Sequence, residues 1–278
     1  MLRIHFIVTA LFALLCIGFI CAYGMANAGV VHAGQGVAAP YEGRLVVYIV
    51  EPSSRYYMYS GDKYHFGFLD FALDTAISLD YMDSLQFSVE WSAVDAGFYM
   101  ISEDNIMAIA AVFNEETHIS YSAPPDTFPF DAHYVDALAG ATVDSQWNNT
   151  SNETFTHSVL AEVATTTYCF ACPLNSEMLY NIYQTHDYPF FYIELIADKV
   201  DTAMDWLDLR NCKYASTIYY DGGDNVTVSS KTYESFYRDP IEDCGAREVY
   251  FLGLSVEVEW LGDMAIGVNV IVDNTLFD

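Results

Sequence analysis

Tyr168-Cys169-Phe170-Ala171-Cys172-Pro173 is the stretch on which the reading of this chain turns. Residues 157–163 before it (His-Ser-Val-Leu-Ala-Glu-Val) read as a β-strand. After it, residues 174–183 place Leu174, Met178 and Ile182 at i+4 spacing, joined by Leu179 and Tyr183, which predicts a helix. A Cys-x-x-Cys pair at a strand-to-helix junction sets its first sulfur at a helix N-terminus. The unpaired N–H groups there carry partial positive charge and favour thiolate over thiol. Thiolate is the species that attacks disulfides, so Cys169 and Cys172 are candidate redox cysteines.

Downstream, the pattern predicts a strand over 189–196 and a helical piece over 202–209 with Trp206 and Leu209 toward the core. A short strand over 216–220, the turn Asp221-Gly222-Gly223-Asp224 and a strand over 225–229 follow. A helix over 233–243 closes the unit, with Pro240 kinking or restarting it. Upstream, residues 140–154 are poor in large aliphatics and rich in Asn, Thr and Ser, the composition of a linker. Residues 41–140 read as all-β. Residues 44–50 are a β-branched run, 63–71 and 84–91 alternate, and 105–113 is a continuous apolar run suited to a buried strand. Turns are expected at Gly61-Asp62, Asp95-Ala96-Gly97, Asn114-Glu115-Glu116 and Pro124-Pro125. Short strands separated by turns point to a β-sandwich. In the tail, Val256, Val258 and Trp260 alternate with Glu257 and Glu259, Leu261-Gly262-Asp263 turns the chain, and Ile266, Val268, Val270 and Val272 share one face. Such a hairpin cannot stand alone. It either completes the sandwich or begins a further domain.

At the N-terminus, Arg3, an apolar run over 4–23 and Ala26-Asn27-Ala28 read as a secretory signal peptide over 1–28. The run is long enough to span a bilayer, so an uncleaved membrane anchor is the alternative. Beyond it lie Cys169, Cys172, Cys212 and Cys244, an even number that suggests disulfides in an exported chain. A second Cys-x-x-Cys, the usual mark of a four-cysteine zinc site, is absent. Cys212 and Cys244 either form a structural disulfide closing about 31 residues, or one of them exchanges with the Cys169–Cys172 pair. His157 and His186 flank the cysteines in sequence. A strand histidine is more often packed or exposed than a ligand, so no metal is assigned.

The 38 acidic and 10 basic side chains give a net charge of −28, which repels nucleic acid and anionic membrane surfaces. With 22 Tyr and 18 Phe the chain is not disordered in composition. The acidity is either a solvated surface or an adaptation to salt. Asn148, Asn149, Asn152 and Asn225 each begin an Asn-x-Ser/Thr triplet, a hint of a surface glycoprotein.

The element order, with Cys-x-x-Cys between the first strand and helix, resembles a thioredoxin-like domain over residues 154–245. More closely, the chain is similar to exported thioredoxin-like proteins in which such a domain accompanies β-sandwich modules at the cell surface. Ala161-Glu162, Cys172-Pro173 and Tyr219-Tyr220-Asp221-Gly222-Gly223 carry the resemblance. His65-Phe66-Gly67-Phe68-Leu69-Asp70 and Asp104-Asn105-Ile106-Met107 fit the accompanying module. The resemblance implies an α+β or α/β chain. It comprises a signal peptide (1–28), a β-sandwich (41–140), a linker (141–153), a thioredoxin-like domain (154–245) and a β-hairpin (247–278). It implies Cys169 as nucleophile, Cys172 as resolver and Glu162 as a buried acid assisting proton transfer, with no cofactor. Tyr168 stands where the family often has Trp. The family presents a cis-proline opposite the cysteines, but this chain has no proline between Pro189 and Pro240, and Ala215 or Ser216 takes that place. A non-proline cis bond costs about 3–4 kcal/mol, so this loop is expected to be trans. Tyr168, Ala215 and Ser216 would then face the substrate. Two functions follow. One is an exported, secreted or cell-surface oxidoreductase acting on extracytoplasmic protein thiols and disulfides. The other is a non-enzymatic surface interaction protein in which Cys169–Cys172 is a fixed structural disulfide.

Overall fold

The computed structural model describes residues 40–274, so the expected signal peptide lies outside the described residues. Twelve strands and three helices follow in order. They are β1 (Tyr41–Tyr57), β2 (Lys63–Leu79), β3 (Ser84–Ser92), β4 (Met107–Ala123), β5 (Thr127–Ala141), β6 (Gln146–Trp147), β7 (Val159–Thr165), α1 (Cys172–Thr185), β8 (Phe190–Ile196), α2 (Asp201–Leu209), β9 (Thr217–Tyr220), β10 (Asn225–Val228), α3 (Ser235–Gly245), β11 (Gly253–Gly262) and β12 (Ala265–Asp273).

Residues 44–50 show why the long strands form. Leu45, Val47 and Ile49 enter one core, which they share with Leu254, Val256, Val268 and Val270 of the tail hairpin. Val46, Tyr48 and Val50 enter a second core with Leu179 of α1 and Trp206 of α2. A strand covered on both faces carries apolar residues at every position rather than at alternate ones. The same holds for residues 107–112 of β4, which are fully buried on both faces.

The sheet order is β10-β9-β7-β8-β2-β1-β4-β5-β6, with β11-β12-β3 as a separate three-stranded sheet. This corrects the expected fold. A β-sandwich followed by a separate thioredoxin-like domain does not form, because β8 pairs in parallel with β2 and fuses the two halves into one nine-stranded mixed sheet. Of the described residues, 50% are strand and 17% helix, so the molecule is predominantly β. The join is narrow, a single register pair between Gly67 and Glu194. A Cβ on Gly67 would lie 2.3 Å from Ser54 Oγ of β1, so a side chain there would force Ser54 to shift.

Local readings fared unevenly. The expected turn at 114–116 is a bulge inside β4, where the Asn114 side chain accepts from the Glu116 amide at 2.8 Å. The segment read as a linker is stitched down. Asn149 Oδ1 accepts from the Ser158 amide (3.0 Å) and Asn149 Nδ2 donates to the Leu252 carbonyl (3.0 Å). The tail hairpin joins the N-terminal strands, β12 pairing with β3 along its whole length.

Candidate redox site at the Cys169–Cys172 turn

β7 and α1 place the cysteines. β7 ends at Thr165 and α1 begins at Cys172, with Pro173 in its first turn, where a missing N–H costs nothing. Cys169 and Cys172 are joined by a disulfide with Cα atoms 5.5 Å apart. Cys169 is half-buried, whereas Cys172 is 1% exposed. The Cys172 backbone N–H donates to Cys169 Sγ at 3.1 Å. An attacking thiol therefore reaches Cys169 first, and a thiolate left there meets an N–H donor at a helix N-terminus.

The turn is anchored from two directions. Beneath it, the buried Tyr64 hydroxyl lies 2.8 Å from Thr165 Oγ1 and donates to the Thr166 carbonyl at 3.0 Å. Beside it, Asp198 accepts from the Thr167 amide (2.8 Å) and hydroxyl (2.5 Å). Burial alone would raise the Asp198 pKa. The Thr167 hydroxyl and amide and the Lys199 ammonium outweigh it and hold the carboxyl below its ordinary value.

Ser216 is brought to this site. Asn175, three residues after Cys172, donates to Ser216 Oγ at 2.9 Å, and its Oδ1 accepts from Tyr237 of α3 at 2.9 Å. Ser216 adopts φ +72°, and its N–H bonds the Ala164 carbonyl at 2.7 Å. The Ala215–Ser216 peptide is trans, and Ala215 is exposed. Tyr168 projects into solvent at 71% exposure.

Glu162 is not part of the site, which corrects its assignment as the assisting acid. Its carboxylate points toward α2 and accepts from Trp206 Nε1 (2.6 Å), Tyr48 (3.0 Å) and both Arg210 amino groups (2.5 and 3.1 Å). Nothing of it is directed to Cys172. Sequence reasoning also passed over Glu194 on β8, a buried acid on the strand beside β7. It is 1% exposed, and burial pushes its pKa up to about 8, offset in part by the Ser176 hydroxyl. Neither Glu194 Oε1 nor Ser176 Oγ has a hydrogen-bond partner. Ser176 follows Cys172 by four residues and so shares its face of α1. The available signal was a single acid inside the run Phe190-Phe191-Tyr192-Ile193-Glu194-Leu195-Ile196.

Cys212 and Cys244 are free thiols and form no disulfide with each other, a second correction. Cys212 donates to the Tyr214 carbonyl at 3.4 Å on the loop after α2. Cys244 is buried in another cluster, where burial and then the charges of Asp221 and Asp224 raise its pKa far above the ordinary thiol value. His157 belongs to that same cluster, 2.7 Å from Asp221 and at the far end of β7 from the cysteines. His186 caps the opposite end of α1. A cleft of about 710 Å³ lined by Arg44, Asp74, Asp131, His133, Trp206 and Arg210 includes neither Cys169 nor Cys172. Its two arginines are already paired, Arg44 with Asp74 and Arg210 with Glu162.

No family model matches this chain, and neither a curated protein nor a solved structure does.

Proposed function

We propose that the protein is a thiol–disulfide oxidoreductase that acts on protein thiols and disulfides outside the cytoplasm, with Cys169 as the exchanging cysteine and Cys172 as the resolving one. The observation that carries this reading is the asymmetry of the pair. Cys169 is partly accessible and receives a backbone N–H, whereas Cys172 is enclosed at the first turn of α1. In exchange, a substrate thiolate attacks Cys169 Sγ, the Cys169–Cys172 bond breaks, and Cys172 leaves as thiolate. A second substrate thiolate then attacks the mixed disulfide and releases an oxidised substrate and reduced Cys169. The reverse sequence reduces a substrate disulfide. Export rests on the reading of residues 1–28.

The test is the reduction potential of the pair, measured in graded thiol buffers with trapping and peptide mapping. A value between about −120 and −270 mV supports exchange and indicates its direction. Cys169→Ser should then abolish turnover. A potential below about −300 mV would mark the bond as structural. That outcome would favour a non-enzymatic interaction protein, for which the absence of a proline at 215–216 already speaks.

A further inference from the structure

The rings around Cys169 come from two separate parts of the chain. Phe170 is 83% exposed and Tyr168 71%, one on each side of Cys169 in sequence. Tyr59, 61% exposed, stands at the tip of the β1–β2 hairpin and meets Phe170 edge-on with ring centroids 5.6 Å apart. Tyr57, at 55%, lies on the arm of the same hairpin, with the Lys63 ammonium 6.0 Å from its ring. Large aromatics so exposed and so grouped are not needed for folding.

Their placement is rigid. Met58 and Tyr64 of the hairpin pack against Ile196 of β8 as a small separate core. The Tyr64 hydroxyl in turn holds Thr165 and Thr166 at the start of the cysteine turn. The hairpin tip itself is closed by the Met58 amide on the Asp62 carbonyl at 2.7 Å, with Gly61 at φ +95°. The hairpin that carries Tyr59 is therefore tied to the start of the cysteine turn.

We infer that Phe170, Tyr168, Tyr59 and Tyr57 form a docking platform for extended, unfolded polypeptide segments that carry aromatic and basic residues next to a cysteine. This rests on the exchange reading above and names its substrate class. Folded proteins bury the apolar side chains that would cover these rings, and non-native chains expose them. The net charge of −28 attracts basic segments and disfavours small anionic thiols such as glutathione.

The experiment separates docking from chemistry. A fluorescent peptide with Phe, Tyr and Lys around a serine in place of its cysteine cannot exchange, so its binding reports the platform alone. Wild-type protein should bind it, more weakly in high salt, and the double variant Tyr59→Ser/Phe170→Ser should bind it about tenfold less, a loss of about 1.4 kcal/mol. A Gly- and Asp-rich peptide of equal length should not bind. Equal binding by both proteins, or equal binding of both peptides, overturns the platform. The cysteine versions of the two peptides then test the chemistry. Faster exchange with the aromatic peptide than with glutathione supports the inference, and equal rates overturn it. Binding of the serine peptide without any exchange of its cysteine version overturns the role of Cys169 while leaving the surface as a binding site.

Discussion

Replacing Glu194 by Gln removes a titration from the middle of the nine-stranded sheet, and its effect on stability should depend steeply on pH. The folded carboxyl releases its proton near pH 8, against 4.5 for the free side chain, because burial disfavours the charged form. Between these values the native state holds a proton that the unfolded chain has released. Stability is therefore fully present below about pH 4.5 and is lost as pH rises toward 8, after which it levels. At about 1.36 kcal/mol per pH unit the span amounts to about 5 kcal/mol, with about 2 kcal/mol already lost at pH 6. Glutamine fills the same space with no charge to lose. Any cost of pairing its amide group, about 1–3 kcal/mol at most, does not vary with pH. The difference between variant and wild type at a single pH is therefore not diagnostic, but its change with pH is. Urea unfolding of both oxidised proteins at several values between about pH 4.5 and 8.5 cancels every other titrating group. The variant should gain roughly 5 kcal/mol relative to wild type across that range, or about 10–20 °C in Tm for a unit of this size. Parallel curves would refute the placement of Glu194 as a buried, neutral acid.

Gly67→Ala should cost about 1–3 kcal/mol by chemical denaturation, because the new methyl group meets Ser54 Oγ and Cβ of the neighbouring β1, and Ser54→Gly in the same chain should recover part of the loss. Arg210→Met leaves Glu162 buried without its countercharge and should cost about 3–5 kcal/mol, with much of it regained in the double variant with Glu162→Leu. If the single variant is near wild type, the ion pair is not a structural element. Alkylation without reductant, followed by peptide mapping, should label Cys212 in the native protein and Cys244 only after unfolding. A Cys212–Cys244 cross-linked peptide would contradict the separation seen here.

Much of the local structure was legible from residue order. The strand, cysteine turn and helix around 157–183 follow from apolar spacing and from Pro173, and they appear within two residues of their expected bounds. The later elements from β8 to α3 were equally readable, since each is short and bounded by turn residues. Reading failed where one pattern served two structures. The polar run Asn114-Glu115-Glu116 looks like a turn, but β5 pairs with β4 on both sides of it, at Phe113 and at Thr117, and the run is absorbed as a bulge. Gly140 and Ala141, read as the start of a linker, are instead the buried end of β5. The role of Glu162 could not be read from its strand either. Period-two alternation tells which residues share a face, and only Arg210 and Trp206 across that face show that it is already engaged.

Sequence alone established the order of strands and helices, the position of Cys169 ahead of α1 and the acidity of the chain, because spacing, turn residues and formal charge are local or additive. Tertiary structure decided that β8 closes against β2, that Cys212 and Cys244 stay apart, and that the tip of the first hairpin sets Tyr59 against Phe170. The first and last of these join residues more than a hundred positions apart in the chain. The apolar runs show that both faces of the sheet are covered, but what covers them depends on shape at contacts such as Gly67 and Ser54, which no local pattern encodes.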